Sequence, residues 1–224
     1  MLFEVNEQGN YVTLIEEVNG RKTETNISIR DFIDSITASS NNKKLKEVES
    51  PIFKEVGYCR LIKWKKLNRS SEIYVICRKR ELAPTQLLET FIGEVGYPQL
   101  LFGIKVVNNK VSCLYVVATK EEEINENTKI YQYPYTNVSS RIGSVCLGRN
   151  EFEKDVRENN YLYEIPNLFF SMPNSLHSYN KLNNKMGFEC SELMNFHKNK
   201  QYDEKLLVEN IYCRNFKQWF NDLK

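Results

Sequence analysis

Residues 98–119 read PQLLFGIKVVNNKVSCLYVVAT, two apolar runs joined by Asn108-Asn109. Val, Ile, Leu, Phe and Tyr fill both runs, the side chains that fit a pleated, half-buried surface. Asparagine tolerates a left-handed backbone, so two in succession close a tight two-residue turn. The stretch predicts a pair of antiparallel strands, and it sets the frame for what lies on either side. Upstream, YCRLIKW (58–64) and EIYVICRK (72–79) flank KLNRSS and predict a second hairpin. Further upstream, YVTLIEEV (11–18) and RKTETNISI (21–29) flank Asn19-Gly20, a strong hairpin-turn signal. Downstream, TKIYQYPY (128–135) follows the acidic loop KEEEINEN (120–127) and reads as a further strand.

Helical spacing occurs around this strand-rich core. SIRDFIDSI (28–36) predicts a short helix with Ser28 as its N-cap. APTQLLETFIGEVG (83–96) places Leu87, Leu88, Phe91 and Ile92 at helical intervals, with Pro84 near the start and Gly96 at the end. RNEFEKDVRENNYLYEI (149–165) is charged and partly helical, and FFSMPNSLHSYNKLNN (169–184) is aromatic and irregular. SELMNFHKNK (191–200), DEKLLVENI (203–211) and RNFKQWFNDLK (214–224) each predict an amphipathic helix. Strands come first and helices last. The expected fold is therefore α+β, an antiparallel β-meander with helices packed on one face. The expected division is an N-terminal extension of hairpins and a helix over 1–82, and a core with the C-terminal helices over 83–224.

Composition narrows the class. The 224 residues carry 41% hydrophobic, 12% aromatic and 27% charged side chains, which is ordinary for a globular chain long enough to bury a core. The formal net charge is +2. That gives no electrostatic footprint for nucleic acid, and the lysine groups at 43–46 and 63–66 read as solvated faces. No apolar run is long enough to span a bilayer and the N-terminus MLFEVNEQGN has no signal-peptide pattern, so the expected location is cytoplasmic. Six cysteines stand singly among only two histidines, His177 and His197, so neither a metal site nor a cofactor is expected.

One cysteine sits in a different context from the rest. YPYTNVSSRIGSVCLGRN (133–150) is rich in turn residues and ends in Cys146-Leu147-Gly148. Thiol chemistry needs a reachable sulfur, a donor for the oxyanion and a group to position or deprotonate an incoming amine. Cys146 and Asn137 supply the first two. Glu151, Glu153, Asp155 and the more distant His177 are the candidates for the third. The alternative reading is a buried thiol on a short strand with Asn137 as a turn residue. Tyr135 is expected to pack beneath the loop.

The stretch YTNVSSRIGSVCLG resembles the active-site segment of ubiquitin-conjugating enzymes, in which a His-Pro-Asn tripeptide precedes a glycine-containing loop and a Cys-Leu pair. Tyr135-Thr136 stand here where that family has His-Pro, and the spacing from Asn to Cys is one residue longer. The order PQLLFGI, YPYTNV, GSVCLG, Phe169-Phe170-Ser171 and His177 resembles the prokaryotic family D of ubiquitin-conjugating-like proteins, also called PRTRC system protein B, over about 84–180. The resemblance implies a ubiquitin-conjugating (UBC)-like core and a bacterial protein linked to mobile elements. It implies that Cys146 carries a ubiquitin-like protein as a thioester received from a ThiF-like activating enzyme. Asn137 would serve the oxyanion, and His177 or a nearby acid would handle the amine of a protein target. Three rivals stand beside it: an inactive adaptor of the same fold that binds a ubiquitin-like partner, a DNA-associated factor, and a hydrolase using Cys146 with His177.

Overall fold

The computed structural model describes residues 2–5, 11–18, 21–38, 48–49, 59–148, 150, 152, 154–158 and 161–224. Its centre is the hairpin over residues 99–119. Strands β9 (Gln99–Val107) and β10 (Lys110–Thr119) pair antiparallel, and Asn108 and Asn109 take φ of 51° and 65° between them. That is the doubly left-handed geometry a two-residue hairpin turn demands. On the other side of β9 lie β6 (Ser71–Arg78), β5 (Cys59–Lys66) and the short β4 (Val48–Glu49), giving the order β10-β9-β6-β5-β4. Every pairing is antiparallel. β6 precedes residue 83 yet pairs directly with β9 after it, and β5 pairs with β6, so the sheet draws on both sides of the expected 82/83 division.

The N-terminal hairpin forms as expected. β1 (Leu2–Val5), β2 (Tyr11–Val18) and β3 (Arg21–Ser28) make a separate three-stranded sheet, with Val18 opposite Arg21. The expected Asn19-Gly20 turn and the lysine group at 43–46 lie outside the described residues. Helix α1 (Ile29–Ala38) follows. The Ser28 hydroxyl accepts from the Asp31 backbone N–H at 2.9 Å and donates to its carboxylate at 2.7 Å, the N-cap expected from the sequence.

Four expectations are corrected. Residues 83–96 are a β-hairpin, β7 (Glu81–Leu87) and β8 (Thr90–Tyr97). Ala83, Thr85 and Leu87 alternate inward, whereas Leu88 and Phe91 are 54% and 68% exposed, so the supposed helical stripe is not a core face. Gly96 lies where β8 presses on the chain at 200–202, with no room for a side chain. Residues 128–135 make only isolated bridges, Tyr131 to Ala118 and Glu209, and Lys129 to Asn215, as the chain leaves the sheet before Pro134. Residues 203–211 hold only a 3-10 turn at Glu204–Leu206, capped by the Asp203 carboxylate. Helix α2 (Tyr161–Ser171) begins later than the charged run suggested and takes in Phe169 and Phe170.

The expected α+β class with an antiparallel meander holds, and its helical cover extends to both faces. β6 is buried at every residue. On one face Tyr74, Ile76, Phe102 and Val116 pack with Ile165 and Phe169 of α2 and with Leu193 and Met194 of α3 (Cys190–Phe196). On the other, Ile62, Val75, Leu101 and Val117 pack with Phe216, Trp219 and Phe220 of α4 (Phe216–Asp222). Gly103 in β9 makes the second contact possible, since a Cβ there would come within 2.7 Å of Leu223. Among the described residues no helix is long and apolar enough to cross a membrane.

Candidate active site

The loop from 133 to 148 is anchored beneath by tyrosines. Tyr135 is fully buried, and its hydroxyl donates to the Gly96 carbonyl at 2.7 Å. Its ring meets Tyr97 edge-on at 4.9 Å and Tyr202 at 6.0 Å. Burial pushes its pKa well up, so it is a neutral post under the loop, as the sequence suggested. Thr136 is equally buried, and its hydroxyl donates to Asn174 Oδ1 at 2.7 Å. At Asn137 the chain surfaces with φ of 64°, a left-handed conformation that asparagine tolerates better than most residues.

From there the loop folds back on itself. Val138 bridges Val145. Gly143 sits against β10: its carbonyl accepts from Val116 N–H at 2.7 Å, and Val145 N–H donates to Leu114 at 2.8 Å. Gly143 has φ of 78°, and a Cβ there would run into the Val116 carbonyl, so glycine is required on two counts.

This fold-back brings the three expected residues together. Cys146 N–H donates to the Asn137 carbonyl at 2.7 Å, and Asn137 N–H donates to the His177 carbonyl at 2.9 Å. Cys146 is thus one backbone hydrogen bond from Asn137, and Asn137 one from His177. The Asn137 amide is also held. Its Oδ1 accepts from the Ser175 hydroxyl at 2.7 Å and the Ser175 N–H at 3.3 Å, and its Nδ2 donates to the Pro173 carbonyl at 3.0 Å. One Nδ2 hydrogen remains for another acceptor. Ser175 also accepts from His177 N–H at 3.2 Å. Its part was missed in the sequence, because a serine five residues past the Phe-Phe pair carries no signal of its own.

Cys146 is the exposed cysteine; Cys77, Cys190 and Cys213 are buried, and Cys59 and Cys113 half-buried. Burial pushes the Cys59 thiol up to about 11 and those of Cys77, Cys190 and Cys213 up to about 12, so these four remain unreactive thiols near neutral pH. His177 is exposed beside the site. The other histidine, His197, is 1% exposed and satisfied on both ring nitrogens. Nε2 accepts from Asp203 N–H at 3.1 Å and Nδ1 lies 3.1 Å from the Leu193 carbonyl. Of the acidic candidates, Glu151 and Glu153 lie outside the described residues. Asp155 instead caps its own turn, accepting from Arg157 N–H at 2.9 Å.

The arrangement is a reachable sulfur on a braced loop, with a fixed amide and an exposed imidazole in adjoining segments. A family model for prokaryotic E2 family D matches residues 30–210 of the chain. Neither the comparison with curated proteins nor that with solved structures gives a match.

Proposed function

The chain belongs to prokaryotic E2 family D, and from that premise we propose that Cys146 carries the C-terminal acyl group of a ubiquitin-like protein as a thioester and passes it to an amine. The observation that carries this reading is the hydrogen-bonded run Cys146–Asn137–His177 around the exposed thiol. In the loading step the Cys146 thiolate attacks the thioester on an activating enzyme of the ThiF-like type. A new C–S bond forms, and the activating enzyme's cysteine leaves as a thiolate. In the transfer step an amine of the protein target attacks the same carbonyl and Cys146 leaves. Both steps put negative charge on the carbonyl oxygen, and the unused Nδ2 hydrogen of Asn137 is the donor for it. The exposed His177 takes the proton the amine sheds as the amide forms.

The test supplies a ubiquitin-like protein and a ThiF-like activating enzyme from the same organism, with ATP. A reductant-labile adduct on a non-reducing gel is expected for wild type and is lost in Cys146→Ala. No adduct in wild type, with clean thioester on the activating enzyme itself, overturns the carrier reading. It then favours the second reading, an adaptor of the same fold that holds a ubiquitin-like partner. One observation speaks for that second reading: Asn137 already has its oxygen and one amide hydrogen occupied by Ser175 and Pro173.

A further inference from the structure

Asn174 is 8% exposed, and all its polar groups are hydrogen-bonded. Its backbone N–H donates to the Gln86 carbonyl at 2.9 Å, and its carbonyl accepts from Leu88 N–H at 2.7 Å. Together these fasten it across the turn between β7 and β8, where Leu87 forms a parallel bridge with it. Its side-chain Nδ2 donates a second bond to Gln86 at 3.1 Å. Its Oδ1 faces the other way and accepts the hydroxyl of Thr136 at 2.7 Å. Thr136 is wholly buried and directly precedes Asn137. The residue after Asn174 is Ser175, which grips the Asn137 amide.

Asn137 sits in a left-handed conformation, and hydrogen bonds to its backbone and to its amide hold it there. Cys146 and residues 173–177 supply those bonds, with Thr136 buried beside them, and Asn174 is where this group meets the rest of the fold. The side chain must donate to one partner and accept from another, 50 residues apart in sequence, Gln86 and Thr136. Aspartate would turn an oxygen toward the Gln86 carbonyl, and leucine would strand the Thr136 hydroxyl. We propose that Asn174 is a positioning residue, which locks the β7–β8 turn to Thr136 and so sets the orientation of the Asn137 amide. Its effect on chemistry rests on the carrier reading above; the lock itself does not.

The experiment takes the full-length chain as wild type, Asn174→Ala and the milder Thr136→Val. Residue-resolved amide exchange reads the lock without any partner. The Asn137 and Cys146 N–H groups are expected to exchange about tenfold faster in both variants, the loss of roughly one buried hydrogen bond. Val75 and Phe102, in the central strands, are expected to hold their wild-type rates. Unchanged exchange at Asn137, or a uniform rise that includes Val75 and Phe102, overturns the proposal. Where wild type forms the thioester, single-turnover discharge to hydroxylamine is expected to slow about tenfold in both variants with loading unaltered. Equal discharge rates in wild type and variants overturn the catalytic consequence. A wild type that forms no thioester removes the carrier reading, and the exchange rates then decide the lock alone.

Discussion

Cys146 and His197 show how burial sorts residues of one type into different work. Four of the other cysteines are held as thiols by loss of solvent, while Cys146 is in water at the end of a braced loop. A neutral alkylating reagent at pH 7.5 is expected to label Cys146 first and to spare Cys59, Cys77, Cys190 and Cys213 until denaturant is added. Peptide mapping by mass spectrometry checks it, and early label on Cys77 or Cys213 contradicts it. Burial makes His197 harder to protonate. Burial lowers its pKa from 6.5, against the nearby Asp203 carboxylate, which raises it, and with Lys200, which lowers it. In the unfolded chain the ring takes a proton near pH 6.5; in the folded protein it does so only at lower pH. The stabilising contribution is therefore complete above pH 6.5 and is lost as pH falls through the folded value. Thermal melts between pH 7.5 and 5 are expected to fall less steeply for His197→Gln than for wild type.

At the scale of elements, the loop carrying Cys146 depends on how closely it lies against β10. Gly143→Ala forces a Cβ into the Val116 carbonyl and a left-handed backbone onto alanine. The expected loss is about 2 kcal/mol or more, from the backbone preference and the clash together. Urea unfolding measures it. The Val138–Val145 bridge opens with it, so Cys146 alkylation rates also change. The β7–β8 hairpin teaches a related lesson. Leu87, Leu88, Phe91 and Ile92 fit a helical period, yet the inward alternation of Ala83, Thr85 and Leu87 fits a strand equally well. Local spacing leaves the two open. The choice falls to β8, which hydrogen-bonds along its outer side to the segment after α3: Gly96 N–H donates to the His197 carbonyl, and Asn199 N–H to that of Glu94.

At the scale of the molecule, α4 decides whether the central sheet has one covered face or two. Trp219 is fully buried against Phe216 at 6.2 Å, and its Nε1 donates to the Ile142 carbonyl at 2.9 Å, one residue before Gly143. The last helix thereby covers the second face and braces the Cys146 loop from behind. Trp219→Ala is expected to cost about 3–5 kcal/mol, the usual range for removing a large buried aromatic. Denaturant titration checks this, and a loss below about 1 kcal/mol speaks against α4 as a structural cover. Trp219→Phe fills most of the volume but drops the bond to Ile142. It is expected to retain most of the stability while loosening residues 142–146 in amide exchange.

Some of this protein could be read from residues in order. The paired strands around Asn108-Asn109, the hairpins at 11–29 and 58–79 and the Ser28 cap are short-range matters of turn chemistry and alternation, settled within about ten residues of chain. The candidate site was legible in part: Asn137, Gly143 and Cys146 stand close in sequence, and the pattern around them marks the family. What tertiary structure alone decided depends on partners far apart in the chain. The 83–96 segment became a hairpin because residues 197–202 pair with its edge. The 128–135 segment forms no continuous ladder because it meets β10 only at Ala118 and otherwise bonds to scattered residues between 208 and 216. The His177 carbonyl meets Asn137 N–H across 40 residues of chain, and Ser175 and Asn174 come with it. Such contacts draw their strength from burial and from hydrogen bonds between distant segments, and no local propensity records where those segments will meet.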